Sequence, residues 1–188
     1  MGGQILFFVS VGAWAVVEIW LQAFRRGRGA PGTVEKISKY VMLAVFTAAG
    51  FGARIVSPGF AAGFREPFTP VRWAGAIVVA ASVALRLLSV VKLGPAYSVD
   101  LRVEPGRRLV TTGLYRFIRH PGYLSLIAAF AGVALAFWHP VATALCLALP
   151  PAVIAWRIRL EEAFLERAYG EEYRAWARRT KRLVPFVV

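Results

Sequence analysis

Long apolar runs separated by short basic stretches organise this chain from end to end. The first run spans Gln4 to Phe24, with Glu18 its one charge. The second covers about Lys39 to Ser57, and the third about Val71 to Val91 with Arg86 inside it. The fourth, Gly122 to Trp138, and the fifth, Pro140 to Trp156, meet at a short turn, His139-Pro140. Each run approaches the ~20 apolar residues that cross a ~30 Å hydrocarbon core as a helix. Helices satisfy their own backbone polar groups away from water. The pattern therefore predicts an all-α integral membrane protein with five transmembrane helices. No internal repeat or low-complexity linker divides it, so 1–188 reads as a single membrane domain. Residues 1–91 supply three of the helices, and 92–188 a polar segment, a transmembrane hairpin and a helical tail.

Composition sharpens this. The chain is 58% hydrophobic yet carries a formal charge of +13, where a soluble domain is nearer ~45–50% apolar. The basic residues sort by loop. Arg25, Arg26, Arg28, Lys36 and Lys39 fill the first connection, Arg65 and Arg72 thinly mark the second, and the third holds Lys92, Arg102, Arg107, Arg108, Arg116 and Arg119. The fourth has none, and the tail holds eight from Arg157 to Arg182. Cytoplasmic loops carry excess Lys and Arg, so the alternation predicts an outside N-terminus and a cytoplasmic C-terminus in the cell (inner) membrane. Charges that follow topology this closely argue against a nucleic-acid partner. A secretory signal peptide would place basic residues before its apolar run; here the run is long and the arginines follow it. Cys146 lies within an apolar run and serves packing. His120 and His139 fall at opposite membrane faces and make no metal site.

Between the runs, residues 25–38 read as a basic connection broken by Gly27, Gly29, Pro31 and Gly32. Ala96 to Val103 partly alternates and could be extended, with a turn at Pro105-Gly106. The tail reads as helix from Arg157 to Tyr169, ended or bent at Gly170, then a second helix from Glu171 to Arg179. Pro150-Pro151 predicts a kink midway along the fifth helix.

The chemistry concentrates in two polar segments. Gly113-Leu114-Tyr115-Arg116-Phe117-Ile118-Arg119-His120-Pro121-Gly122-Tyr123 precedes and opens the hairpin. Glu161-Glu162, Tyr169-Gly170-Glu171-Glu172-Tyr173 and Arg182-Leu183-Val184-Pro185 follow it. In order and around one hairpin, these resemble the Arg-His-Pro-x-Tyr and Glu-Glu segments of isoprenylcysteine carboxyl methyltransferases, in a prokaryotic-type member, and of the related phospholipid N-methyltransferases. The resemblance covers about residues 92–188. It implies S-adenosylmethionine as cofactor, with contacts from Leu109, Val110, Tyr115, His120, Pro121, Tyr123, Glu161 and Glu162. It also implies that Arg157 faces a lipophilic substrate delivered from the lipid bilayer.

The residue types agree. S-adenosylmethionine carries a sulfonium, an ammonium and a ribose diol that favour carboxylates, and a carboxylate and adenine that favour His, Arg, backbone N–H groups and an apolar slot. No Gly-x-Gly-x-x-Gly fingerprint supports a Rossmann site. Two blander readings stand beside these: Arg119 as a headgroup contact, and Glu161-Glu162 as a solvated helix end. Membrane sterol reductases, which use NADPH, share a similar core and form the rival enzyme class. A phospholipid amine or a small thiol is an alternative acceptor. Glu18 and Arg86, both about 10 Å below the same interface by helical rise, are expected to pair between the first and third helices.

Overall fold

A computed structural model describes residues 2–24, 33–56, 69–94 and 108–184. Among them are five long helices: α1 (Gly2–Phe24), α2 (Thr33–Val56), α3 (Pro70–Leu93), α4 (Pro121–Phe137) and α5 (Pro140–Tyr169). A 3-10 turn (Gly113–Arg116) precedes α4, and a short helix α6 (Glu171–Ala177) follows α5. The expected extended stretch at 96–103, the turn at Pro105-Gly106 and Pro185 lie outside the described residues, as does most of the basic connection at 25–32.

Each predicted apolar run is helical, and the starts have local causes. Thr69 caps α3 by accepting from the Arg72 N–H at 3.4 Å. Prolines 70, 121 and 140 open α3, α4 and α5, the position where a missing N–H costs nothing. Gly170, at φ +54°, ends α5 in a conformation that favours glycine. Hydropathy alone misplaced one boundary. α2 begins at Thr33 rather than near Lys39, because its charged first turns continue the helix and bury Glu35 and Ser38. The tail helix is continuous with the fifth run, so α5 is one 30-residue helix, unbroken at Pro150 and Pro151.

α3 and α4 make the most extensive contact, α1 packs on α3, α2 on α5, and α4 on α5. The α3–α4 approach is close because two glycines face each other. A Cβ on Gly75 would come within 2.6 Å of the Gly132 oxygen, and one on Gly132 within 2.7 Å of the Gly75 oxygen. Small residues at such crossings let backbones approach where no hydrophobic drive exists between helices. The neighbouring core is small-residue too: Ala49, Ala53, Ala134, Ala142 and Cys146 around Phe130.

Outward faces are apolar. Ile5, Val9, Val16 and Ile19 on α1, and Leu43, Phe51 and Ile55 on α2, are exposed, a kind of surface that soluble monomers rarely present. α1, α3 and α5 are each long and apolar enough to cross a membrane; α4 is a shorter apolar helix of 17 residues.

Candidate functional site

The hairpin α4–α5 carries the site, and the C-terminal segment is folded back to hold it. Beyond α6 the chain runs beside residues 117–120. The Arg119 N–H donates to the Lys181 oxygen (2.7 Å), the Lys181 N–H to the Phe117 oxygen (3.1 Å), and the His120 N–H to the Arg182 oxygen (3.0 Å). Trp176 Nε1 donates to the Tyr115 oxygen at 3.0 Å, and the Tyr115 hydroxyl donates to the Ser89 oxygen of α3 at 3.4 Å. Tyr115, Tyr173 and Trp176 form a buried aromatic cluster, with Leu109 and Val110 against it. Three of the sequence-predicted residues, Leu109, Val110 and Tyr115, thus wall the underside of the tail.

Glu162 is where these parts are tied by charge. Its Oε1 accepts from Arg119 Nε at 2.9 Å and lies 3.4 Å from His120 Nε2, while its Oε2 accepts from Arg182 Nε at 2.9 Å. Burial opposes the Glu162 charge, but bonds from His120, Arg182 and Arg119 outweigh it and hold the carboxyl down at about 2. Glu162 stands past Trp156, where the apolar run of α5 has ended, so this balance belongs to the polar extension. Arg119 also donates to the Ala177 oxygen (2.8 Å) and the Thr180 oxygen (2.5 Å). The headgroup reading of Arg119 therefore gives way: its guanidinium is spent inside the protein. Burial first, then the neighbouring Glu162 charge, pushes the Tyr173 phenol well above its usual range, which keeps it neutral.

Glu161 is differently placed. Its Oε1 lies 3.9 Å from His120 Nδ1, and its side chain is 31% exposed against 13% for Glu162. The two carboxylates flank one buried imidazole, Glu162 bound by three side chains and Glu161 the more exposed. Tyr123, in the first turn of α4 and 5.7 Å from the His120 ring, interacts with both Glu161 and Arg157. Arg157 is buried one turn before Glu161 and donates to the Ser38 hydroxyl of α2. Pro121, fully buried, sets the start of α4 between them. His120, Pro121, Tyr123, Arg157, Glu161 and Glu162 are thereby brought together.

Two neighbours escaped sequence reasoning. Ser38 had no signal, because its helix was read as starting one residue later. Arg182 was read as part of the Arg182-Leu183-Val184-Pro185 segment, without a partner assigned to its side chain. On the far side of α4, the expected intramembrane pair is present: Arg86 donates from Nε to Glu18 Oε1 (2.6 Å) and from Nη2 to Oε2 (3.0 Å). Arg86 Nη1 also reaches the Gly122 oxygen at 3.3 Å, so the pair holds the first turn of α4 as well as joining α1 to α3.

The model of the family described as phospholipid methyltransferase matches residues 71–172. That span runs from α3 into α6 and includes His120, Pro121, Tyr123, Arg157, Glu161 and Glu162, while Ser38, Tyr173, Trp176 and Arg182 lie outside it. The chain belongs to the phospholipid methyltransferase family. Within it, a probable protein-S-isoprenylcysteine O-methyltransferase of Oryza sativa subsp. indica is 29% identical over 119 residues, 62% of either chain. A methanethiol S-methyltransferase 1 of Bradyrhizobium diazoefficiens is 39% identical over 82 residues, 42% of this chain and 27% of that one. This member therefore spans less than two thirds of the length of those relatives. Its fold is that of the eukaryotic intramembrane Ras methyltransferase, isoprenylcysteine carboxyl methyltransferase: TM-score 0.62 at 21% identity, over 76% of this chain and 52% of the other. The family match reaches back through α3, further than the motifs did, and stops before Arg182-Leu183-Val184-Pro185.

Proposed function

We propose that this protein is an S-adenosylmethionine-dependent methyltransferase acting on a lipophilic or membrane-delivered acceptor, most like a carboxyl methyltransferase of the isoprenylcysteine type. One observation carries the reading: His120, Tyr123, Arg157 and Glu161 meet at one end of the α4–α5 hairpin, inside the segment that matches the family.

The donor set suits the cofactor. Glu161, open beside a buried His120, fits an ammonium or ribose hydroxyls; His120 fits a carboxylate; Leu109, Val110, Tyr115 and Tyr123 offer apolar and aromatic walls. When bound, the cofactor supplies a methyl group made electrophilic by its sulfonium. The chain's own contribution is alignment and exclusion of water, which together account for much of the acceleration of such transfers. Arg157 keeps a buried positive charge, braced by Ser38, that orients an anionic acceptor. Glu162 acts as a positioning residue, holding the C-terminal segment closed through Arg119 and Arg182. A carboxylate or thiolate acceptor is already nucleophilic. An amine would need a base, a role open to His120 or Glu161.

The excess of basic residues from Arg157 to Arg182 supports a cytoplasmic position for this end of the hairpin. That orientation completes a five-span protein of the inner membrane with its N-terminus outside. A thiol acceptor is the second reading, favoured by the likeness to the methanethiol enzyme over 82 residues. A match to a methyltransferase family weighs against an NADPH-dependent reductase.

Calorimetry on detergent-purified protein tests the cofactor. S-adenosylmethionine and S-adenosylhomocysteine should bind saturably and NADPH should not. Glu161→Ala should weaken binding roughly tenfold or more, the worth of a charged hydrogen bond. Well-folded protein that binds neither adenosyl compound overturns the proposal.

A further inference from the structure

The polar extension of α5 and the segment after it form a second feature, which shares Glu162 with the His120–Glu161 cluster and opens away from it. It is an open groove of about 560 Å³ between α5 and α6, lined among others by Arg119, Arg159, Arg174, Arg178 and Arg182 against Glu162 and Glu166. Five guanidiniums face two carboxylates there, and the pairing is unequal. Arg119 and Arg182 are bound to Glu162, and Arg174 to Glu166. Arg159 and Arg178 are exposed and have no partner among the described residues. The groove thus keeps two exposed, uncompensated guanidiniums, planar donors of the kind that bind a phosphate by paired N–H bonds.

Its height in the bilayer selects the source of that phosphate. Arg159 stands three residues past Trp156, the last residue of the apolar run of α5, so ~1.5 Å per residue puts it about 5 Å beyond the hydrocarbon edge. That is the headgroup layer. The groove is also open rather than closed, as a site filled sideways from a leaflet must be. We infer that this groove binds the headgroup of an anionic phospholipid, with Arg159 and Arg178 on its phosphate, and docks the α5–α6 end against the membrane. The inference rests on α5 spanning the bilayer; it does not rest on methyl transfer.

Native mass spectrometry of detergent-purified protein tests it, with phosphatidylglycerol and phosphatidylcholine of identical acyl chains. Phosphatidylglycerol should be retained preferentially. Arg159→Gln/Arg178→Gln should lose that preference by roughly 25-fold, from about a kcal/mol per basic residue at a charged surface. Ala163→Glu, which puts a carboxylate in the groove wall, should abolish it. Arg167→Gln/Arg179→Gln removes the same charge outside the groove and should leave it intact. Equal loss in the groove and control variants would mean a diffuse charge effect and overturn the site. So would equal retention of the two lipids. Displacement of phosphatidylglycerol by inorganic phosphate at millimolar level would assign the groove to a soluble phosphate and overturn the lipid. Binding of S-adenosylhomocysteine, measured in parallel, should be unchanged in all three variants, so failure here is distinct from failure of the methyltransferase reading.

Discussion

Glu18 and Glu162 are both carboxylates paired to arginine, one within the membrane-spanning part of the bundle and one at its polar end, and they are held in contrasting ways. Among the described residues Glu18 has one cation, Arg86, which grips both its oxygens and passes a third donor to the backbone of Gly122. Glu162 has Arg119, His120 and Arg182, drawn from two separate segments. The difference follows the solvent. Among apolar helices an unmatched charge is costly, so a one-to-one bidentate pair is the arrangement that leaves least unsatisfied. At the polar end, surplus cations are tolerated, and one carboxylate can fasten several pieces of chain. Both nodes bear on the same turn: Gly122 from below, His120 from above.

The strongest way to break the comparison is at the intramembrane pair. Arg86→Ala leaves the half-buried Glu18 uncompensated among apolar helices and should cost about 3 kcal/mol in stability. Glu18→Gln/Arg86→Gln should recover much of that loss. Thermal unfolding of the two single glutamine variants and the double variant in one detergent measures the coupling. Additive effects would show that the 2.6 Å contact contributes nothing. A second readout follows from the Gly122 contact: S-adenosylhomocysteine affinity should fall in Arg86→Gln even at temperatures where the protein is fully folded.

Glu162→Ala should act more locally and by less. It frees Arg119, Arg182 and the tail, yet these groups can reach water, so a loss of about 1–3 kcal/mol is expected, the cost of charged hydrogen bonds. Hydrogen exchange should accelerate across residues 171–184 while α1 and α3 stay protected. Uniform acceleration would mean that Glu162 supports the whole bundle, not the tail alone.

The sequence made some of this visible for a plain reason. Apolar runs and the proline and glycine punctuation are one-dimensional signals, so all five helices and the Gly170 break could be read directly. The Glu18–Arg86 pair could be read because two isolated charges at equal depth in apolar helices have few other ways to be satisfied. Division of labour in Glu161-Glu162 could not. Adjacent residues on a helix point about 100° apart, and which of them meets Arg119 depends on where the tail returns, a contact 43 positions distant in sequence. Ser38 was hidden for the complementary reason: the helix that carries it begins in polar residues, where hydropathy gives no warning.

The sharpest probe of the Glu162 node is its response to acid. The Glu162 carboxyl stands at about 2 in the folded protein against an ordinary value of 4.5. A depressed folded value means that the unfolded chain takes up the proton first as pH falls. The stabilisation is therefore complete above about pH 5, declines between 4.5 and 2, and is absent below that window. Glu162→Gln has no such proton to gain. The stability gap between the native protein and Glu162→Gln should be constant from pH 7 to 5 and then narrow steadily towards pH 3. Unfolding followed at each pH in the same detergent gives that gap, with shared acid effects cancelling between the two proteins. A gap that does not change with pH would mean that Arg119, His120 and Arg182 hold the tail through their backbone contacts, as Arg119 does to Ala177 and Thr180, and not through the charge of Glu162.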